Sequence, residues 1–93
     1  MDFEQVHNYY ERLVFEDIVR RSAQYRDFTP TMLSDVACVA LNQLPARYVR
    51  HDVDLVFYLT EQERHEVSIA LSAAVEYAFA FVGKRAAKSD APA

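Results

Sequence analysis

Between Val67 and Val82 every residue is apolar except Ser68, Ser72 and Glu76. Those three are spaced by four, so on a helix they form one narrow polar line and leave the rest of the circumference apolar. A helix of that kind is covered on nearly every side. Sixteen residues interrupted by a Glu fall short of the roughly 20 apolar residues that a bilayer span needs, so the stretch is expected to be a core helix rather than a membrane segment. A chain of 93 residues is one small domain, whose core is marginal unless something adds to it. The economical arrangement packs one flank of this helix on two shorter helices and the other on a second copy. Ala73, Tyr77, Phe79 and Ala80 are the expected dimer interface of a homodimer.

The rest of the chain supplies the shorter helices. Residues 2 to about 22 read as a first helix, with Phe3, Val6, Tyr10, Leu13, Val14 and Ile18 on its apolar face, Asp2 and Glu4 at its start, and Arg20 and Arg21 at its end. Residues 24–28 connect it to a second helix, which begins with Thr29 as N-cap and Pro30 in the first turn. Leu33, Val36, Ala37, Ala40, Leu41 and Leu44 make its buried stripe, and Pro45 stops it. From Val53 to Leu59 the apolar residues alternate, which predicts one short strand or extended arm, with a short helix as the other solution. An unpaired strand would have to meet its copy in a second subunit. Thr60-Glu61-Gln62-Glu63 is a capping box that opens the third helix, and Gly83 is a C-cap signal. The expected fold is therefore mainly α, a three-helix domain over residues 1–85 with one short extended segment or strand at 53–59. Residues 86–93 read as a flexible tail.

Composition narrows the function. Ten Lys and Arg against fourteen Asp and Glu give a net charge of -4, which disfavours long-range attraction to nucleic-acid polymers or anionic lipid. Cys38 is the single cysteine, so no intrachain disulfide and no multi-thiolate zinc site can form, and next to the buried stripe it reads as a small hydrophobe. His7, His51 and His65 lack metal-ligand spacing; no metal and no cofactor is expected. His7 is expected to pack or cap within the first helix, and His65 to lie on the surface. Nothing shows a nucleophile with a positioned base, so no catalytic residue is named and no enzyme is expected. The acidic start of the chain is unlike a signal peptide, and a cytoplasmic protein is expected.

The segment after Pro45 carries Arg47, Tyr48, Arg50 and His51 together. Two readings stand side by side. In one, Arg47 holds an acid such as Asp17 or Asp35 while Tyr48 and Val49 enter the core. In the other, the guanidinium forks grip phosphate or a guanine edge and Tyr48 supplies a stacking face. Asn42 is either a loop-bracing amide or a base-reading one.

Asn8, Glu11 and Val14, then Asp35, Ala40-Leu41-Asn42, Leu44-Pro45 and Arg47-Tyr48-Val49, together resemble the late competence development protein ComFB family of bacteria. The resemblance runs from about residue 5 to 82, and its best-defined part is the LNxLPxRYV core. It implies a mostly helical homodimer that acts as a receptor for a cyclic dinucleotide messenger, cyclic di-GMP above all. The residues that match the pattern and would bind it are Asp35, Asn42, Arg47 and Tyr48; Arg50 joins them on chemical grounds. The cysteine cluster of some members is missing here. The alternative expectation is a structural adaptor that docks another protein, with no small ligand.

Overall fold

The computed structural model describes residues 3–90. In chain order it comprises β1 (His7–Asn8), α1 (Tyr10–Ser22), α2 (Pro30–Asn42), β2 (Tyr48–Val49), α3 (Asp52–Tyr58) and α4 (Glu61–Asp90). The two short strands pair antiparallel, His7 opposite Val49 and Asn8 opposite Tyr48. The fold is mainly helical, as expected, with three longer helices, one seven-residue helix and this small sheet.

The α2 start follows its sequence signals closely. Thr29 accepts from the Met32 N–H at 3.2 Å and Pro30 occupies the first helical position, where its missing N–H leaves nothing unsatisfied. At the head of α4 the Thr60 hydroxyl oxygen accepts from the Glu63 N–H at 3.1 Å, while its proton goes to the Glu63 carboxylate at 3.2 Å. Glu61 and Glu63 lie in the first turn, where the helix dipole favours them.

The core forms where α1 and α2 lie on the second half of α4. Val14 and Ile18 from α1, Val36 and Ala40 from α2, and Val75, Ala78, Phe79 and Val82 from α4 are all buried in it. Phe79 is its centre. Tyr25 stacks on that ring with centroids 4.2 Å apart and an interplanar angle of 18°, and Phe28 leans against it at 5.4 Å. Phe79 is 1% exposed, so it serves the subunit's own core and cannot be a dimer contact. That corrects its assignment from the sequence, and the connection at residues 24–28 supplies the cover that a count of helices alone overlooks.

Four further expectations change. The first helix begins at Tyr10, not at residue 2: Asn8 and Tyr9 are held by the segment after Pro45, and this diverts the chain into β1. Phe3 and Val6 are left exposed as a result. Asp2 lies outside the described residues. Residues 53–58 are helical, the other solution left open by the sequence, with Leu55 and the extended C-cap Leu59 buried; the strand forms earlier, at Tyr48–Val49, and pairs within the chain. Gly83 does not end α4, which continues to Asp90, well into the stretch read as a tail. Its role is close approach: a Cβ there would meet Phe28 Cζ at 3.3 Å. Cys38 is exposed rather than tucked beside the core.

Over Glu61–Lys88, α4 is long and apolar enough to cross a membrane by length and composition, with a mean hydropathy of 1.4 in a window that is 28% buried within the fold. The same helix supplies the core residues named above, as the central helix of a folded domain does. Replacing Phe79 by Ala removes the ring on which Tyr25 and Phe28 pack. Denaturant titration should show a loss of about 3–5 kcal/mol of folding stability.

Candidate functional site

The connection from α2 to α3 holds the cationic segment, and a buried amide fixes its shape. Asn8 is 8% exposed. Its Oδ1 accepts from the Arg47 backbone N–H at 3.0 Å and from the Tyr10 N–H at 3.3 Å, while the Arg47 carbonyl accepts from the Tyr9 N–H at 2.7 Å. One side chain thus satisfies the start of α1 and the residue after the helix-stopping turn at once. A buried carbonyl oxygen with two donors is well placed to hold both. Sequence reasoning gave Asn8 no role in the site. A polar residue just ahead of an amphipathic helix was the available signal.

Fixed in this way, the backbone presents its side chains to solvent. Arg47 and Arg50 are exposed, and Tyr48 is 69% exposed. Among the described residues neither Arg47 nor Arg50 has an ion-pair partner. Of the two acids named as possible holders of Arg47, Asp17 is already engaged and Asp35 makes no ion pair with it among the described residues. Asp17, buried on α1, accepts from Arg20 and from Arg21 Nε at 2.9 Å, and Arg21 also donates to Ser72 Oγ on α4 at 2.8 Å. Tyr48 does not enter the core either.

The other candidates sit apart. Asn42 is exposed at the last residue of α2, next to the connection. Asp35 lies seven residues earlier on α2, about 10 Å along the axis. It lines a different cleft of about 460 Å³ between α2 and the end of α4, with Met32, Cys38, Val39, Phe81 and Arg85. Arg47, Tyr48 and Arg50 are thus all exposed on the α2 to α3 connection, Asn42 is exposed at the end of the helix before it, and Asp35 lies apart in the cleft between α2 and α4. Of the expected interface, Ala73, Tyr77 and Ala80 are exposed on α4, in one stripe with Ile69 and Phe81. The Tyr77 and Phe81 rings stack at 5.9 Å along it.

Beside the cationic segment lies a histidine–carboxylate pair that was not foreseen. His7 Nε2 is 2.6 Å from Asp52 Oδ1, and His7 Nδ1 is 2.7 Å from the Gln5 carbonyl. The carbonyl contact first, and then the Asp52 carboxylate, raise the imidazole above its ordinary pKa. His7 was expected to serve α1; it belongs instead to the strand in front of it. His65 is exposed. Among the described residues no group of three or more His, Cys, Asp or Glu is placed to hold a metal ion.

The family model for the late competence development protein ComFB matches residues 7–86. The chain belongs to the ComFB family. The match takes in β1, the whole of the α2 to α3 connection and the core half of α4. No curated protein and no solved structure matches the chain.

Replacing Asn8 by Ala leaves the Arg47 and Tyr10 N–H groups without their acceptor. It should cost about 1–3 kcal/mol. Amide hydrogen exchange at Arg47 should accelerate more than exchange in α2, which measures the loss of the brace separately from any global destabilisation.

Proposed function

We propose that this ComFB-family protein is a non-enzymatic regulatory module that binds a cyclic dinucleotide, cyclic di-GMP in the first instance, and works as a homodimer. The observation that supports this most directly is the pair of exposed guanidinium groups, Arg47 and Arg50. They lack ion-pair partners among the described residues, beside an exposed Tyr48 ring and on backbone braced by Asn8. An Arg fork matches a phosphodiester or the O6 and N7 edge of guanine, and a tyrosine ring offers a stacking face to a base. Asn42 adds an amide at the rim. Asp35 can accept from the guanine N1–H and N2–H only where the ligand or a second copy reaches its separate cleft.

The homodimer rests on the α4 stripe. Ile69 is 57% exposed, Tyr77 48% and Phe81 40%, with Ala73 and Ala80 between them. An apolar row of this kind on a small domain is the sort of surface that a second copy covers. A two-fold dimer also suits a ligand that itself has two-fold symmetry. A second reading, the protein-docking adaptor, draws on α3, where Phe57 is 84% and Tyr58 81% exposed.

Calorimetry with cyclic di-GMP, cyclic di-AMP and GTP separates the two readings. One cyclic dinucleotide should bind in the micromolar range or tighter. Arg47→Ala should weaken it by about 10- to 100-fold, the worth of one charge-assisted contact. Flat titrations with all three ligands would favour the adaptor. Light scattering should give about twice the 10.7 kDa chain mass, and Ala80→Glu should lower that value while the helical circular dichroism is kept.

A further inference from the structure

His7 faces acceptors on both sides of its ring. Nδ1 is 2.7 Å from a backbone carbonyl, which can only accept, and Nε2 is 2.6 Å from a carboxylate oxygen. A neutral imidazole has one N–H to offer; only the imidazolium donates from both nitrogens. We propose that His7 and Asp52 form a proton-operated clasp that holds the first turn of α3, and with it the Arg47–Arg50 segment, against β1. This deepens the ligand-binding reading given above, since the segment it would regulate is the same one.

The clasp matters because, among the described residues, α3 has few other ties. Asp52 is its first residue, and in its own chain the helix rests on β2 and on the burial of Leu55 and Leu59. Arg50 and His51 lead directly into it. Once the ring gives up a proton, only one of the two contacts keeps a donor, and the hold on Asp52 loses its charge attraction whichever nitrogen retains the proton. Among the described residues, the charged groups around the pair are Glu11 and Arg12 from α1 and Asp52 itself. Arg12 Nη2 lies 3.8 Å from Asp52 Oδ2, and Arg12 Nε lies 3.7 Å from Glu16. Arg12 alone is a weak substitute, being exposed and shared with Glu16. Because the folded-state pKa of His7 is raised, the clasp contributes in full below the ordinary imidazole value of 6.5 and is lost as the pH rises through the higher folded value.

An NMR titration of the full chain from about pH 5 to about pH 8 tests this. His7 should titrate above its ordinary value, with both ring nitrogens protonated at the acid end. The amide signals of Val49 and of the residues in α3 should move with the same midpoint. In Asp52→Asn the midpoint should fall, and in His7→Gln the α3 amides should cease to titrate. A His7 midpoint at or below the ordinary value, or α3 amides that ignore it in the unaltered protein, would overturn the clasp, whatever the variants do. Calorimetry with cyclic di-GMP at both ends of the range supplies the second arm. Affinity should drop across the His7 midpoint. Tight binding that is indifferent to pH would remove the regulatory role. No binding at either end would overturn the ligand reading and the regulation built on it, while the titration alone would decide the clasp.

Discussion

The constraint on which the rest of the molecule depends is a mismatch of lengths. At 30 residues α4 is about 45 Å long, whereas α1 and α2 have 13 residues each and reach about 20 Å. Two short rods can shelter one side of part of a long one. Val75, Ala78, Phe79 and Val82 form the sheltered side, and the aromatic rings of Tyr25 and Phe28 close the gap that the helices leave. Burying rings of that size accounts for much of what a small core can supply. The opposite side of α4 keeps its apolar row in the open, so the same mismatch that builds the subunit also leaves the surface on which the proposed homodimer rests.

A second constraint acts at the other end of the chain. Helix stops are usually followed by loops whose backbone groups turn to water, but here the residue two positions past Pro45 is tied to the start of α1 through Asn8 and Tyr9. The tie converts a loop into a two-residue ladder with β1. It spends a buried amide on holding backbone, and that leaves the side chains of Arg47, Tyr48 and Arg50 free to point outward. Local rigidity and side-chain availability come from the same bonds, and such pre-organisation reduces the ordering cost of gripping a ligand.

What could be read from the residue order follows the range of the interaction. Thr29 with Pro30, and Thr60 with Glu63, act within one turn, and both helices begin where those residues say. The α2 stripe is equally local. Interactions between distant residues were invisible: Asn8 with Arg47, His7 with Asp52, and Tyr25 with Phe79 are each separated by dozens of positions. This is why the first helix was drawn too long, why a strand was looked for at 53–59 when it lay at 48–49, and why Phe79 was set on the wrong side of α4. Gly83 misled for a different reason. A glycine after a long helix resembles a cap, yet this one serves the packing of Phe28. The candidate site was legible in part. Arg47, Tyr48 and Arg50 fall together because they are neighbours in the chain, while Asp35 shares a pattern with them but faces another cleft.

The overall charge of -4 bears on what such a site can hold. At a distance the protein repels anions, but that field is screened beyond roughly 8–10 Å. Within the domain, Arg20 and Arg21 are committed to Asp17, and Arg12 is divided between Glu16 and Asp52. The cations of the α2 to α3 connection carry no such obligation among the described residues. An anion that reaches them meets contact-range hydrogen bonds, each stronger than the residual repulsion. A long polyanion gains no such advantage, since most of its charges would lie over the acidic remainder of the surface. On the proposed reading, a compact anion with few phosphates suits this arrangement better than a polymer, and that preference follows from where the arginines are spent rather than from how many there are.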